Sequence, residues 1–413
     1  MLEKNYLAPN VALRLLLDKL NDFPLLTENI PLEAGFCRVL AQDVVAAEDL
    51  PGFTRSTVDG FAVHSSSTFG AREQMPAYLA LGSEILMGSA PSFLLGAGQA
   101  APIPTGGMLP DGADAVVMLE DCQRMSDAIV EVMRAVAPGD NVIQRDEDIR
   151  AGECVLERGH RLRPQDVGAL AGLGIQSVPV YKRPSIAIVS TGDEVVPLGS
   201  PVGPGQVRDI NSFTLRGLIQ QQGAVPVCTG IVRDDYDAMR SAVAQALAKS
   251  DMVLIIGGTS AGVRDMTAAI IDSFGGPGVL FHGVAVKPGK PMIGGIIDGK
   301  PVLGLPGHPA ASAISYSLFI RPVIDRLHGI NRKHDFTRMV PAIISKAVSS
   351  VAGREDHIRV SLQWRDGMLH AVPVFGKSGL ITTLVRADGT VVIPAQKLGL
   401  DAGESVSVIL FES

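Results

Sequence analysis

The chain has 413 residues, too many for one ordinary hydrophobic core, and its length predicts roughly two to four domains. Hydrophobic residues make up 46% of it, which supports globular domains, while 45 glycines and 27 prolines predict many turns. The formal charge of −7 argues against nucleic acid or an anionic membrane as the main partner. An anionic small ligand stays possible wherever lysines cluster.

The cysteines and the N-terminus indicate the compartment. The four cysteines are scattered, with no CxxC pair and no histidine at ligand spacing, so free thiols are expected rather than a zinc or iron–sulfur site. No signal-type apolar run follows Met1, and the leucine-rich stretch over residues 11–17 contains Arg14. We therefore expect a cytoplasmic protein without a membrane-spanning segment.

The first half of the chain predicts short elements. Asn10 is predicted to cap a helix over residues 11–20, and residues 35–45 are predicted to lead from a helix or turn into a strand. Strand-like runs alternate with Gly, Pro and Asp turns from residue 56 to about 137, which predicts a small β-rich module. A helix opened by Pro164 is predicted over residues 163–171.

The second half divides into two patterns. Strands and helices alternate from residue 183 to 330, which predicts an α/β domain with an open, mostly parallel sheet. Its strands are expected at 185–190, 224–230, 252–256 and 301–305, and its helices at 211–222, 235–249, 264–273 and 310–327. Beyond residue 334 the period falls to two, which predicts an all-β domain with a hairpin turn at Asp366-Gly367. Its strands are expected at 340–347, 357–364, 368–374, 389–393 and 405–410.

Three loops with glycine follow strands of the α/β region: TGDE (191–194), GGTSAG (257–262) and PGHP (306–309). Such sheets bind ligands beyond the carboxyl ends of their strands. Because glycine lets backbone approach phosphate and acids hold cations, this edge is predicted to bind a phosphorylated ligand with a divalent metal ion.

The individual acids of this edge have alternative roles. Asp193 is equally compatible with a cap or turn, whereas Glu194 is a poor cap and a poor turn former. Asp235 is predicted to cap the following helix, which leaves Asp234 free for chemistry. Asp265 is also compatible with a first-turn position that complements the helix dipole. Taken together, the acids favour a metal site.

The sequence KPGKP (287–291) is the most informative basic element. Two prolines restrict the backbone around Lys287 and Lys290, which lowers the entropy lost when both lysines clamp an anion. Phosphate or another oxyanion is the expected ligand.

Three other motifs are rejected or disfavoured. No GxGxxG occurs, which excludes the usual nicotinamide or flavin fingerprint, and GKS (376–378) lacks the glycine and the helix of a P-loop. GTSAG (258–262) matches GxSxG, but the long glycine-rich stretch suits a loop around an anion better than the sharp turn of a serine hydrolase.

Seven motifs in fixed order then resemble one family. They are STVDGFAV (56–63), PTGGMLPDGADAVVMLE (104–120), DEDIRAGE (146–153), STGDEV (190–195), GGTSAGVRD (257–265), VKPGKP (286–291) and GLPGHPAAS (304–312). The chain resembles the molybdopterin molybdenumtransferases, which include the bacterial MoeA proteins and the E domain of gephyrin, over nearly its whole length.

The resemblance implies a fold and a reaction. The fold is an elongated four-domain homodimer: a discontinuous domain I (1–50 and 140–182), a β-rich domain II (51–139), an α/β molybdopterin-binding domain III (183–331) and a β-barrel domain IV (332–413). The enzyme would release AMP from adenylylated molybdopterin with Mg²⁺ and insert molybdate, giving molybdenum cofactor. The molybdopterin adenylyltransferase and molybdoenzyme chaperones are the expected protein partners.

The resemblance also implies site residues, in a cleft between domain III of one subunit and domains II and IV of the other. The catalytic acids would be Asp59, Asp148, Glu194, Asp234 and Asp265, of which Glu194, Asp234 and Asp265 would bind the metal. Substrate binding would fall to Thr105, Gly257, Gly258, Ser260, Lys287, Lys290, Pro291, Arg359 and Ser378. Lys287, Lys290, Arg359 and Ser378 would bind the oxyanion.

The sequence departs from the family pattern without losing an acid or a lysine. His308 replaces the usual asparagine of GLPGNP, PTGGM (104–108) replaces MTGAP, and GTSAG replaces GVSVG. Two alternatives remain: a non-catalytic scaffold like gephyrin, and a variant that inserts tungstate. Among other enzymes, a hydrolase of nucleotide sugars or adenylates is the runner-up.

Overall fold

The computed structural model describes residues 6–257, 261–331 and 338–411, without the side chains of 261–264. Four units with separate hydrophobic cores lie along the described chain. The predicted class, α/β plus β and multidomain, is confirmed.

The first unit is built from two separate stretches of chain. Strand Thr27–Pro31 pairs antiparallel with Ser177–Tyr181, and Val44–Val45 pairs with Cys154–Leu156. A 3₁₀ turn, Leu32–Ala34, and a helix, Pro164–Gly172, cover these strands. Their shared core joins residues 30–44 to residues 162–180.

The inserted β unit is a six-stranded sheet with a core on each face. Phe61 and Val63 belong to one core and Ala62 to the other, as strand alternation requires. In spatial order its strands are Ala115–Met118, Gly60–Val63, Gln99–Ile103, Ala77–Leu81, Ile129–Val132 and Cys122–Arg124. Strand pair Arg55–Ser56 and Val142–Ile143 lies where the chain enters and leaves the unit.

The α/β unit has the predicted parallel sheet, extended by two antiparallel strands that were not predicted. The four parallel strands are, in spatial order, Val225–Val232, Ser185–Thr191, Met252–Gly257 and Lys300–Pro306, and the antiparallel pair is Ile293–Ile297 and Pro277–His282. The helices are Asn211–Gln221, Tyr236–Lys249, Ala261–Asp272, Pro309–Ser315 and Arg321–Leu327, the last two joined by a π-helical stretch, Tyr316–Ile320. A small parallel pair, Val195–Val196 and Val207–Arg208, stands outside the sheet.

The N-terminal helix differs from expectation in two ways. It spans Pro9–Asp18 and so begins one residue before Asn10. Proline suits the first helical position because it has no N–H that needs an acceptor. Asn10 lies inside the helix and does not cap it. Its apolar residues Ala12 and Leu16 pack into the core of the α/β unit, so this helix does not belong with the rest of residues 1–50. The hydrophobic stripe is local, but its partner lies far along the chain.

The C-terminal unit is a closed five-stranded barrel. Strands Met339–Ile344, Glu355–Arg365, Met368–Pro373, Gly389–Ile393 and Ser405–Leu410 pair around it. The predicted Asp366-Gly367 turn is confirmed, with φ of 50° and 74°, the left-handed values that a two-residue hairpin of this type needs. A short pair, Val348–Ser349 with Gly399–Leu400, and the helical turn Thr382–Val385 complete the unit. In the described parts of the chain, no helix is both long and apolar enough to span a bilayer.

Candidate functional site

The acidic loops meet beyond adjacent parallel strands, as the sequence predicted. Thr191 Oγ1 donates to Asp234 Oδ1 at 2.5 Å, and the backbone N–H of Asp234 donates to Asp193 Oδ1 at 3.3 Å. Asp235 caps the helix Tyr236–Lys249 by accepting from the N–H of Ala238 at 2.9 Å, as predicted. Asp234 is therefore left half-buried beside the TGDE loop, free of a capping role.

Glu194 lies at the exposed tip of the same loop. Gly192 has a φ of +143°, and a Cβ there would lie 2.9 Å from a Glu194 carboxylate oxygen. Glycine is needed at this position because other residues rarely adopt this φ value, and a Cβ there would also meet Val195 Cγ2 at 2.8 Å. We call Asp193, Glu194 and Asp234 the acidic edge.

Asp209 supports this edge and was missed by sequence reasoning. Its carboxylate accepts from Ser190 Oγ at 2.7 Å and from the N–H of Ser212 at 3.1 Å. It thereby ties the end of a central strand to the first turn of the helix Asn211–Gln221. The available signal was an aspartate just before a predicted helix, because such a side chain accepts hydrogen bonds from N–H groups of the first helical turn.

The described residues do not contain a preformed cage of three acids. Glu194, Asp234 and Asp265 do not come together as a group able to surround one ion, and Asp265 is exposed on its helix. Mg²⁺ usually keeps several waters and takes one or two carboxylates plus substrate phosphates. The oxygen donors of Glu194 and Asp234 fit that requirement, so magnesium binding remains a prediction with a smaller ligand set.

A cationic group forms where the α/β unit meets the barrel. Strand Val286–Lys287 pairs in parallel with Glu355–Asp356, which carries the KPGKP loop onto the barrel. Lys287 Nζ lies 3.6 Å from Asp356 Oδ2, and Arg354 Nε donates to Asp356 Oδ1 at 2.8 Å. The buried Asp356 thus anchors the first lysine of the loop.

Lys290 is exposed and stacks on an aromatic ring. Its Nζ lies 4.2 Å from the ring centroid of Tyr6, a cation–π contact of the ammonium head itself, and the residue as a whole remains exposed. No sequence signal indicated Tyr6. Pro291 beside it is half-buried.

Arg359 and Ser378 belong to the barrel, and Ser378 contacts the α/β unit. Arg359 is only 8% exposed, and its Nη2 donates to the carbonyl of Gly376 at 3.0 Å. Its Nε and Nη1 are buried and find no hydrogen-bond partner among the described residues, while burial lowers its pKa. Ser378 Oγ lies 2.8 Å from His308 Nδ1 of the α/β unit. We call Lys287, Lys290, Arg359 and Ser378 the cationic junction.

The α/β unit and the barrel contact each other within one chain at the cationic junction. The expectation placed domain III of one subunit against domain IV of the other, but the structure joins them within one chain. The backbone pairing of Val286–Lys287, the Lys287–Asp356 ion pair and the His308–Ser378 contact all cross between these two units. A two-residue parallel pairing between segments about seventy positions apart leaves no pattern in sequence.

Asp59 and Thr105 form a separate pair in the inserted β unit. Asp59 Oδ1 accepts from the N–H of Thr105 at 2.7 Å and from its Oγ1 at 2.9 Å. These bonds, the backbone one first, lower the pKa of Asp59. Both residues are exposed, and within the described ranges no hydrogen bond or ion pair links them to the α/β unit or the barrel.

The remaining predicted residues are not drawn into either group. Asp148 is exposed, and its backbone N–H donates to the carbonyl of Leu50 at 3.2 Å. Gly257 is buried at the end of its strand, opposite Pro306. Gly258 and Ser260 lie outside the described residues.

An open α/β sheet with an acidic edge, joined to a barrel through a cationic junction, defines a multidomain protein suited to an anionic ligand. Family models cover nearly the whole of it. The MoeA N-terminal region (domain I and II) matches residues 8–174, the probable molybdopterin binding domain matches 187–326, and the MoeA C-terminal region (domain IV) matches 330–411. The chain belongs to the MoeA family.

Individual relatives match this chain over at least 90% of both lengths. A putative molybdopterin biosynthesis protein of Methanocaldococcus jannaschii is 35% identical, with 99% of both chains covered. The molybdopterin molybdenumtransferase of Bacillus subtilis is 32% identical over 93% of this chain and 90% of that one. The structure of the molybdopterin biosynthesis MoeA protein from Pyrococcus horikoshii OT3 superposes with a TM-score of 0.85 at 32% identity, covering 98% of this chain and all of that one.

Proposed function

We propose that the chain is a molybdopterin molybdenumtransferase. It takes adenylylated molybdopterin, releases AMP and inserts molybdate into the dithiolene, which yields molybdenum cofactor. Membership of the MoeA family supports this proposal, as do the names of full-length relatives. The structural observation that carries it is the buried guanidinium of Arg359, whose Nε and Nη1 lack partners within the described chain. Arg359 lies on the strand Glu355–Arg365, which pairs through Glu355–Asp356 with the start of the KPGKP loop.

The cationic junction suits molybdate as a substrate. Molybdate is a doubly charged tetrahedral anion without donors at neutral pH, so its site must supply cations and N–H or O–H donors. Arg359 carries two buried N–H nitrogens without partners in the described part of the chain, and the exposed Lys290 offers its ammonium group. Ser378 adds a hydroxyl on a loop that also binds Arg359 through Gly376.

The acidic edge suits the nucleotide end of the substrate. Glu194 and Asp234 would hold Mg²⁺, and Thr191 orients the carboxylate of Asp234. When bound, Mg²⁺ neutralises phosphate charge and polarises the phosphorus–oxygen bond to the leaving group.

The Asp59–Thr105 pair supplies a carboxylate that remains ionised well below neutral pH. Since no described contact within one chain joins it to the other groups, we propose that a homodimer completes the site: the β unit of one subunit would face the α/β unit and barrel of the other. The cytoplasm is the proposed compartment, with the molybdopterin adenylyltransferase upstream and molybdoenzyme chaperones downstream.

The direct test is incubation with adenylylated molybdopterin, Mg²⁺ and molybdate, with AMP and molybdenum cofactor measured together. The proposal expects both products, and neither in the absence of Mg²⁺. A folded protein that binds the substrate but releases no AMP would support a scaffold role. The same assay with tungstate in place of molybdate tests which oxyanion the enzyme prefers, because more cofactor should form with the preferred oxyanion.

A further inference from the structure

His308 is the side chain through which the α/β unit contacts Ser378 of the barrel. Its Nδ1 lies 2.8 Å from Ser378 Oγ, and the N–H of Ala310 donates to the Ser378 carbonyl at 3.1 Å. The backbone bond fixes where Ser378 lies. In the imidazole contact, either Ser378 Oγ–H donates to Nδ1 or Nδ1–H donates to Oγ, depending on the histidine tautomer.

The backbone on both sides of this contact is held. Asn211 Nδ2 donates to the carbonyl of Gly307 at 2.7 Å, so the residue before His308 is tied to the helix that leaves the acidic edge. On the barrel side, the carbonyl of Gly376 accepts from Arg359. His308 and Ser378 are therefore presented to each other by two anchored turns.

The number of protons available for these hydrogen bonds restricts the tautomer of His308. A serine hydroxyl has one proton, and an oxyanion such as molybdate offers acceptors only. If Ser378 donates to the oxyanion, it has no proton left for His308 and must accept instead. Nδ1 of His308 must then carry a proton when the oxyanion is bound.

We propose that His308 is a positioning residue of the oxyanion site: its Nδ1–H donates to Ser378 Oγ and turns the Ser378 proton towards the bound oxyanion. The inference rests on the proposed function for the identity of that oxyanion. His308 does not touch the oxyanion in this account, because it acts through Ser378.

Two near-isosteric replacements distinguish this role from simple packing. In His308→Asn, the side-chain N–H lies where Nδ1–H was and still donates to Ser378. In His308→Leu, a side chain of similar size has no donor. His308 is exposed, so neither change should unfold the protein, and thermal unfolding of both variants checks this.

The first measurement is calorimetric titration with molybdate alone. We expect His308→Leu to raise the molybdate Kd about three- to tenfold, as loss of one hydrogen bond does, and His308→Asn to stay within about twofold of wild type. In a Ser378→Ala background, His308→Leu should have no further effect. An unchanged Kd for His308→Leu, or an equal loss in the Ser378→Ala background, would overturn the proposal.

The second measurement is the ¹⁵N spectrum of the imidazoles, in which the His308 signals are assigned by their loss in His308→Asn. Molybdate should shift them to the Nδ1–H form, and a lasting Nε2–H form in the complex would also refute the proposal.

The positioning role of His308 and the proposed transferase activity can fail separately. Wild type that binds molybdate with the expected His308 effects but releases no AMP would support the positioning role and reject the transferase. Wild type that binds no molybdate would reject both.

Discussion

The acidic edge and the cationic junction differ in how the chain builds them. The acidic edge comes from loops after neighbouring strands of a single sheet, and Thr191 and Asp234 meet there through one hydrogen bond. The cationic junction requires two units, because Arg359 and Ser378 belong to the barrel while Lys287 and Lys290 belong to the α/β unit. One group is therefore fixed by sheet topology, the other by how two units dock.

This difference has a functional consequence. A metal–phosphate site needs carboxylates at one rigid sheet edge, whereas an oxyanion needs donors that converge from several directions. If the two groups serve different ligands, then substitutions in one should leave the ligand requirement of the other unchanged.

Asp59→Asn should abolish cofactor formation, with a loss of roughly 100-fold or more, while the fold persists. The amide oxygen still accepts from Thr105, but the negative charge is gone. The measurement is cofactor formation together with thermal unfolding. Full turnover by the folded variant would remove Asp59 from the site and leave the other two groups to account for catalysis.

A mixture of inactive subunits tests whether Asp59 acts across a dimer. Asp59→Asn and an inactive Lys290 variant should together regain up to about a quarter of wild-type activity after subunit exchange, because half the dimers are mixed and each has one intact site. No recovery, with exchange demonstrated, would show that Asp59 and Lys290 act from the same chain.

Glu194→Gln should raise the Mg²⁺ concentration needed for half-maximal AMP release by about fivefold, since one charge near the ion is lost. The molybdate requirement should not change. The control is Asp265→Asn, which alters an exposed acid that the smaller proposed set of Mg²⁺ ligands does not include, and it should shift the Mg²⁺ titration less. An unchanged Mg²⁺ titration in Glu194→Gln would exclude it as a metal-positioning residue.

Thr105→Val should move the acid limb of the activity profile to higher pH. Asp59 has a lowered pKa, so its carboxylate persists to low pH and is lost as pH falls through that value. Removing the hydroxyl raises the pKa, although the stronger backbone N–H bond remains, so the shift is small. Thr105→Ser retains the hydroxyl and should keep the wild-type pH profile. If the pH profile of Thr105→Val is the same as that of wild type, the Thr105 hydroxyl bond does not influence the titration of Asp59.

Local patterns predicted the acidic edge better than the cationic junction. The alternation of strands and helices fixed which loops share a sheet edge, and Asp235 was identified as a cap from its place before a helix. The Asp366-Gly367 turn was predictable because few residues adopt its left-handed backbone.

Long-range pairing was not predictable in the same way. The strand Val286–Lys287 is two residues long, and its partner lies in another unit. The antiparallel strand Ile293–Ile297 contains two glycines and no alternation, so no period marked it. The sequence of the helix Pro9–Asp18 shows an apolar stripe, but it does not show which unit the stripe packs against. Each of these features depends on contacts that form only in the folded chain.

The most direct test of the two-group account is a pair of titrations of cofactor formation by Lys290→Ala. Loss of one charged donor should raise the half-saturating molybdate concentration about tenfold or more, and leave the Mg²⁺ and adenylylated molybdopterin requirements at their wild-type values. Lys290→Arg should restore molybdate affinity only in part, because a planar head replaces a point charge. An unchanged molybdate half-saturation, with only the affinity for the pterin altered, would contradict the assignment of the cationic junction to the oxyanion.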